Sequence, residues 1–347
     1  MKPPPPAGGP RVALFGECML ELRGAAFGAM TQGYGGDTLN TAVYLARVAG
    51  PRVAVQYATA LGDDGLSAGL VERWTAQGVG VDLVRRLPGR LPGLYLIEVD
   101  PHGERRFSYW RDQAAARAYF DTDAATPLEA ALRPADWLYF SGISLAILPP
   151  AGRARLFALA ERLRAAGGRV VFDNNFRPRL WPDAGAARAA YASAFACSDI
   201  GLLSLDDHRD WLGFTGGTAV DEAAALAHAA ALTVPELVVK RGAAATLWRL
   251  RSAATGASTA WQAVPTEPVA RVVDTTAAGD AFAGAYLARR VRGAPPADCV
   301  VAGNRLGARV VQHPGAVIPA EAMADLIDGA RAPADRPADD ADPDLEP

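Results

Sequence analysis

Residues 274–282, with the sequence DTTAAGDAF, follow the valine-rich segment 269–273 and open a helical pattern. Small residues let a ligand approach the backbone closely, and the first N–H groups of a helix lack intrahelical partners. A helix that begins in this way favours the binding of an anion, phosphate above all. Asp280 is predicted to lie in the first turn, where its carboxylate either caps the helix or accepts the proton of an attacking hydroxyl group.

A second glycine-led stretch, residues 35–42 with the sequence GGDTLNTA, leads into a predicted helix over 38–49. Apolar residues recur along that segment with helical spacing. Two interpretations remain open for its first residues. Either Asp37 or Thr38 caps the helix, or Asp37 and Asn40 form hydrogen bonds with the hydroxyl groups of a sugar.

Outward from these two stretches, short apolar segments alternate with helical patterns. Strands are predicted at 11–17, 53–61, 136–141, 169–173, 199–203 and 236–240. Continuously apolar strands separated by helices indicate an α/β fold with a mostly parallel sheet covered on both faces. A hairpin is predicted from 94–98 and 105–109 around the turn Pro101-His102-Gly103, and further strands around 18–34. Together these segments, within 18–34 and 92–112, predict a small sheet that projects as a lid and excludes water from the site.

Composition limits the classes of partner. The chain has 347 residues and a formal net charge of −3, so we expect neither nucleic acid nor a membrane as partner. Three separated cysteines form no disulfide framework and favour a cytoplasmic location. Residues 1–10 and the acidic residues 329–347 are expected to be disordered tails, which leaves one domain over 11–328.

The two glycine-led stretches resemble the two signatures of the ribokinase-like (PfkB) carbohydrate kinases. Four more segments resemble the 2-keto-3-deoxygluconate kinases of that family: LPGLY at 91–95, YWR at 109–111, SGISL at 141–145 and DNNFRPRLW at 173–181. The resemblance covers about residues 11–320. It implies a three-layer sandwich with a mostly parallel central sheet and a β-sheet lid. It also implies phosphorylation of the 6-hydroxyl of 2-keto-3-deoxy-D-gluconate by ATP.

Roles for single residues are also implied by this resemblance. Asp280 is the catalytic base, and the anion hole is formed by Ala277, Ala278 and Gly279. The residues implied to bind the sugar, besides Asp280, are Gly36, Asp37, Asn40, Tyr95, Tyr109, Arg111 and Arg177. The residues implied to bind ATP are Asn175, Arg177, Ser204, Lys240, Arg241, Gly242, Ala245, Ala278, Gly279 and Asn304.

Further implications concern ions and assembly. Mg²⁺ is expected to be held mainly by ATP phosphates and water, with Asp207 as the one protein carboxylate suggested near it. A monovalent cation such as K⁺ is compatible with the family, and a homo-oligomer formed through the lid is expected. Many family members carry glycine where this chain has Ala277, so a positive φ there would strain the loop.

An acidic substrate agrees with the two arginines. A sugar acid carries a carboxylate that arginine binds best, and Arg111 and Arg177 lie in the matching motifs. Arginine is nevertheless this chain's default cation, because Lys2 and Lys240 are the only lysines among 35 basic residues.

Alternatives of substrate and of class stay open. The first is the same chemistry on a keto-deoxygalactonate, fructose or ribose. A dinucleotide-dependent oxidoreductase is disfavoured, because Gly16 is followed by Glu17 and Cys18 rather than by the glycine-rich fingerprint. A catalytically inactive sugar-binding regulator is disfavoured by the intact Asp280.

Overall fold

A nine-stranded sheet forms the centre of the computed structural model, which describes residues 9–99, 105–133 and 136–327. Its strands are β1 (Arg11–Phe15), β4 (Ala54–Leu61), β5 (Val84–Arg86), β8 (Trp137–Ser141), β9 (Arg169–Asp173), β10 (Ile200–Ser204), β11 (Glu236–Arg241), β12 (Ala244–Leu250) and β13 (Gln262–Val264). Their order is β13-β12-β11-β10-β9-β8-β1-β4-β5. All neighbours from β11 to β5 are parallel, and β12 and β13 are antiparallel. The prediction of a mostly parallel sheet is confirmed.

The lid is a separate four-stranded sheet. It contains β2 (Met19–Gly24), β3 (Met30–Gly35), β6 (Gly93–Val99) and β7 (Arg105–Trp110) in the order β3-β2-β6-β7. The small sheet expected beside the main one is therefore present. The turn Pro101-His102-Gly103 and the predicted tails, apart from residues 9 and 10, lie outside the described residues.

Helices cover both faces of the central sheet. They are α1 (Asp37–Ala49), α2 (Gly65–Ala76), α3 (Pro127–Ala131), α4 (Gly142–Ile147), α5 (Pro150–Ala165), α6 (Ala184–Ala196), α7 (Leu205–Gly216), α8 (Glu222–Ala231), α9 (Ala278–Arg290) and α10 (Pro296–Val310). Short 3-10 helices span Gly50–Arg52, Ala115–Ala118, Pro178–Leu180 and Ala320–Leu326. In the described part of the chain, no helix combines the length and apolarity needed to cross a bilayer.

Two apolar cores result from the alternation of strand side chains. Leu14 and Val171 point towards α1, α2, α9 and α10, whereas Phe15 and Phe172 point towards α3 to α8. Side chains at successive strand positions face opposite sides of a sheet, so a strand that is apolar throughout needs a helical layer on each side. The three-layer sandwich follows from this pattern.

Gly284 brings two helices of the first layer together. A Cβ at that position would lie 2.7 Å from the Tyr44 Cβ and 2.9 Å from the Leu45 nitrogen. Only glycine permits this approach. Helices α1 and α9 therefore pack side by side, which brings the residues at their N-terminal ends to one place.

Candidate active site

Asp280 lies at the point where α1 and α9 meet. It is the third residue of α9, whose N-cap is Ala277, so the interpretation of Asp280 as a helix cap is wrong. The Asn40 Nδ2 donates a hydrogen bond to the Asp280 Oδ2 over 2.9 Å. Burial and the neighbouring Asp37 carboxylate raise the pKa of Asp280 to about 7. Asp280 is thus a carboxylate that takes up and releases a proton near neutral pH.

The loop before α9 is held by Asp274. Its Oδ1 accepts from the Thr276 nitrogen (3.0 Å) and hydroxyl (2.7 Å), and its Oδ2 accepts from the Gly315 nitrogen (3.1 Å). Ala277 adopts a left-handed conformation with φ 61° and ψ 12°. The strain foreseen for an alanine at this position is therefore present.

The start of α9 supplies N–H groups to a site in front of it. One of them, the Ala278 N–H, donates to the Thr275 carbonyl over 3.3 Å and is engaged within the turn. Among the described residues, the N–H groups of Ala277 and Gly279 have no backbone partner and are left for the suggested anion-binding role.

Asp37 does not cap α1. The N-cap is Gly36, no side chain caps it, and the Asp37 Oδ2 accepts from the Asn175 Nδ2 over 2.8 Å. Burial, followed by the Asp173 carboxylate among the groups that raise it, places the pKa of Asp37 above its usual value. Gly36 is required by space rather than by φ, because a Cβ there would lie 2.1 Å from the Glu17 carbonyl oxygen. Asp37 therefore belongs, with Asn40, Asn175 and Asp280, to one polar cluster.

Asp173 is a site residue that the sequence analysis did not single out. Its Oδ2 accepts from the Lys240 Nζ over 2.9 Å and from the Tyr139 hydroxyl over 3.3 Å. A Cβ on Gly279 would lie 3.4 Å from the Lys240 Nζ, so this ammonium group stands beside the first turn of α9. The signal was available, because Asp173 ends a buried strand and Lys240 is a lysine in an arginine-rich chain.

Arg177 and Asp207, which were predicted as separate site residues, form an ion pair with each other. The Arg177 Nη1 lies 3.0 Å from the Asp207 Oδ1. Burial raises the pKa of Asp207. The described residues contain no group of three His, Cys, Asp or Glu side chains able to hold a metal ion.

Two side chains fix the start of α7, where Asp207 lies. The Ser204 Oγ caps the helix by accepting from the Asp207 nitrogen over 3.5 Å. The Asn174 side chain bonds both main-chain groups of Ser204, at 2.8 Å and 3.0 Å. Strands β9 and β10 are thereby tied together next to the site.

The end of β11 carries the residues after Lys240. Arg241 pairs with Glu222 at 2.7 Å, so its guanidinium is already engaged by protein. Gly242 has φ 60° and makes the turn into β12, where Ala245 is half-buried.

The Asn304 side chain forms hydrogen bonds with other parts of the protein. Its Oδ1 accepts from the Thr246 hydroxyl over 2.7 Å, and its Nδ2 donates to the Pro265 carbonyl over 3.1 Å. The side chain is buried and ties α10 to the sheet. These hydrogen bonds engage the amide oxygen and nitrogen of Asn304, which was predicted to line the nucleotide site.

The lid places Tyr95 at the Gly35–Asp37 corner. A Cβ on Gly35 would lie 2.7 Å from the Tyr95 hydroxyl, which donates to Glu21. The Tyr109 ring lies 6.1 Å from the Tyr95 ring and is half exposed. The two tyrosines of the lid therefore lie next to each other, and Tyr95 is close to the polar cluster.

Comparisons with known proteins show the family of the chain. The chain belongs to the pfkB family of carbohydrate kinases, whose family model matches residues 10–323. The 2-dehydro-3-deoxygluconokinase of Dickeya dadantii is 45% identical over 315 residues, which are 90% of this chain and 98% of that protein. The enzyme of the same name from Escherichia coli K12 is 42% identical over 318 residues, with the same coverage. The fold is similar to fructokinase with bound ATP from Xylella fastidiosa, with a TM-score of 0.72, 26% identity and coverage of 91% and 97%.

Proposed function

We propose that this kinase transfers the γ-phosphoryl group of ATP to the 6-hydroxyl of 2-keto-3-deoxy-D-gluconate, the sugar acid that its relatives' names call 2-dehydro-3-deoxygluconate. Support for the substrate comes from two relatives of that name, 45% and 42% identical over 90% of the chain. Support for the reaction comes from one observation above all. A half-buried carboxylate, Asp280, stands in the first turn of α9 and accepts a hydrogen bond from Asn40.

Asp280 acts as the base. Its carboxylate accepts the proton of the 6-hydroxyl, and the Asn40 amide holds it in position through the 2.9 Å hydrogen bond. Proton transfer is late in a loose phosphoryl-transfer transition state, so a pKa of about 7 does not prevent the reaction. N–H groups of α9 and the Lys240 ammonium group stabilise the charge of the transferred phosphoryl group.

The sugar occupies the space between the polar cluster and the lid. Gly36, Asp37 and Asn40 line the side of the core, and Tyr95 and Tyr109 line the side of the lid. Arg111 and Arg177 are the cations available for the carboxylate of the substrate.

A second candidate is a neutral sugar such as fructose or ribose, or the galactonate epimer of the acid. One observation favours a neutral sugar. Both arginines already have carboxylate partners in the protein, Arg111 with Glu17 and Arg177 with Asp207. A substrate carboxylate has to compete with these partners or share the guanidinium with them.

The family's use of ATP and a divalent metal suggests the other half of the site. Mg²⁺ neutralises the phosphate charge when it is bound, and Asp207 is the protein carboxylate suggested to orient its waters. The residues suggested for the nucleotide are Asn175, Arg177, Ser204, Lys240, Arg241, Gly242, Ala245, Ala278, Gly279 and Asn304. A requirement for K⁺ is tested by exchanging KCl for choline chloride in the assay.

A homo-oligomer through the lid and a cytoplasmic location complete the proposal. The aromatic ring of Phe107, on β7 of the lid, is exposed, and a second lid would cover it. Light scattering of the wild type and of a Phe107→Glu variant checks the assembly. A wild-type monomer would refute it.

The test of function is an assay that couples ADP formation to an optical signal, with Mg²⁺ and four sugars at equal concentration. These are 2-keto-3-deoxygluconate, 2-keto-3-deoxygalactonate, ribose and fructose. A preference for the gluconate acid is the expected result. Turnover of a neutral sugar instead would keep the kinase reaction and Asp280 but would refute the carboxylate-binding roles of Arg111 and Arg177.

A further inference from the structure

The chain crosses between the core and the lid four times, and the crossings converge. They lie at 16–18, 35–36, 91–93 and 111, next to the ends of β2, β3, β6 and β7. Glycines allow them to touch. A Cβ on Gly36 would lie 2.1 Å from the Glu17 carbonyl oxygen, and a Cβ on Gly93 would lie 2.8 Å from the Glu17 Oε1 and 3.3 Å from the Arg111 Cβ. Glu17 thus contacts the other three crossings.

An ion pair occupies this junction. The Arg111 Nη2 donates to the Glu17 Oε2, and the exposed fractions of the two residues are 9% and 2%. Burial raises the pKa of Glu17, against the opposing effect of Arg111. Removal of one partner of such a pair leaves the other as an uncompensated buried charge, which is strongly unfavourable.

Two polar atoms of this ion pair lack hydrogen-bond partners in the part of the chain that the structure describes. Within the described residues, neither the Glu17 Oε1 nor the Arg111 Nε has a hydrogen-bond partner. A carboxylate and a guanidinium that pair through two parallel bonds fix each other's orientation, whereas a single contact leaves a rotation open. The orientation of the Arg111 guanidinium, directly after the end of β7, therefore depends on this one contact.

We propose that Glu17 is a positioning residue for the sugar: its carboxylate holds the Arg111 guanidinium, and with it the base of the lid, so that Tyr95 lies against the Gly35–Asp37 corner of the site. The inference rests on the proposed kinase function. It adds a residue that none of the site motifs contains.

The alternative is a merely structural ion pair, whose loss lowers stability and nothing else. Glu236 offers a matched control. It is buried, it bonds the Arg290 Nη2 over 2.7 Å and the Tyr286 hydroxyl, and it lies at the first residue of β11. The site residue Lys240 lies near the other end of that strand. Glu236→Gln therefore makes the same chemical change away from the lid.

The experiment compares Glu17→Gln, Glu236→Gln and the wild type, using whichever sugar the wild type phosphorylates best. Thermal melting reports stability, and steady-state kinetics report KM for the sugar and for ATP. We expect both variants to melt earlier. Only Glu17→Gln is expected to raise KM for the sugar, by about tenfold or more, with KM for ATP changed by less than about twofold.

An unchanged KM for the sugar in Glu17→Gln, or an equal increase in Glu236→Gln, would overturn the inference. Where Glu17→Gln does not fold, Glu17→Asp keeps the charge, shortens the reach by one methylene and carries the test with the same expectation. The choice of sugar separates the two proposals. A wild type that prefers fructose refutes the substrate proposal while the comparison of variants still stands, and a wild type that phosphorylates none refutes both.

Discussion

At the scale of single residues, Asp280→Asn removes the proton acceptor while it keeps an oxygen for the hydrogen bond from Asn40. We expect kcat to fall by about 10²–10⁴-fold with little change in KM, the usual effect of losing a positioned base. Steady-state kinetics measure this. Asp221→Asn, the same change at the N-cap of α8, serves as the control, because asparagine caps as well as aspartate. Turnover near that of the wild type would remove Asp280 from its role.

The pH profile gives an independent check of the same residue. Asp280 has to be ionised to accept a proton, and its pKa is raised to about 7 by burial and by Asp37. We expect kcat/KM for the sugar to rise between pH 6 and pH 8 and to level off above, with an apparent pKa near 7 that belongs to the coupled carboxylates. A flat profile over this range would contradict it.

Lys240 supports a third prediction at the level of single residues. Its ammonium group lies between Asp173 and the first turn of α9, where a point charge with three donors serves both sides. We expect Lys240→Met to lower kcat/KM for ATP by about 30–100-fold, the cost of a lost charge-assisted contact. Arg162→Met, an exposed change on α5, is expected to have no effect.

Lys240→Arg sharpens the test, because the longer guanidinium keeps the charge and alters the geometry. We expect it to recover only part of the lost activity. Full recovery would show that charge alone matters at this position.

At the scale of elements, the N-terminus of α9 stores strain in Ala277. A non-glycine residue in the left-handed conformation destabilises the folded state by about 1–3 kcal/mol. Glycine removes this strain, but its extra freedom in the unfolded chain lowers the free energy of unfolding by about 0.5–1 kcal/mol. We therefore expect Ala277→Gly to raise the free energy of unfolding by about 1 kcal/mol in urea denaturation. Ala227→Gly, in the exposed middle of α8, is expected to lower it by a similar amount. Equal signs for the two variants would contradict this account.

The elements were largely predictable from sequence. The strands at 54–61, 137–141 and 169–173 lie within one residue of their predicted positions, because apolar runs that are buried on both faces leave little choice of register. The lid hairpin was predicted from its turn residues.

The side-chain partners of the site were not predictable in the same way. The contact between Glu17 and Arg111 joins residues 94 positions apart, and Asp173 meets Lys240 across 67, so both depend on the completed topology.

For the whole molecule, a pair formed by the buried His208 and the half-buried His228 predicts how the free energy of unfolding depends on pH. The His208 Nε2 lies 3.1 Å from the His228 Nδ1, and burial, followed by the charge of His228, lowers the pKa of His208 to about 3. The unfolded chain binds a proton near pH 6.5 and the folded chain does not. This contribution to stability is therefore complete above pH 6.5 and is lost progressively as the pH falls towards 3.

A His208→Gln variant isolates that contribution from the carboxyl groups of the site, whose raised pKa values act in the opposite direction. Between pH 7 and pH 5 we expect the wild type to lose about 2 kcal/mol more free energy of unfolding than the variant. Urea denaturation at the two pH values measures the difference. Equal losses would show that His208 is already protonated in the folded protein.

The convergence of the four crossings also bears on how such proteins diversify. Both segments of the lid leave the core and return to it at one small junction, so each is an insertion into an otherwise unbroken α/β chain. Recombination can therefore exchange the two segments between relatives while the core, α9 included, stays unchanged. An exchanged lid segment would need a residue at position 17 that pairs with its own residue at position 111, although position 17 lies on the core side of the junction.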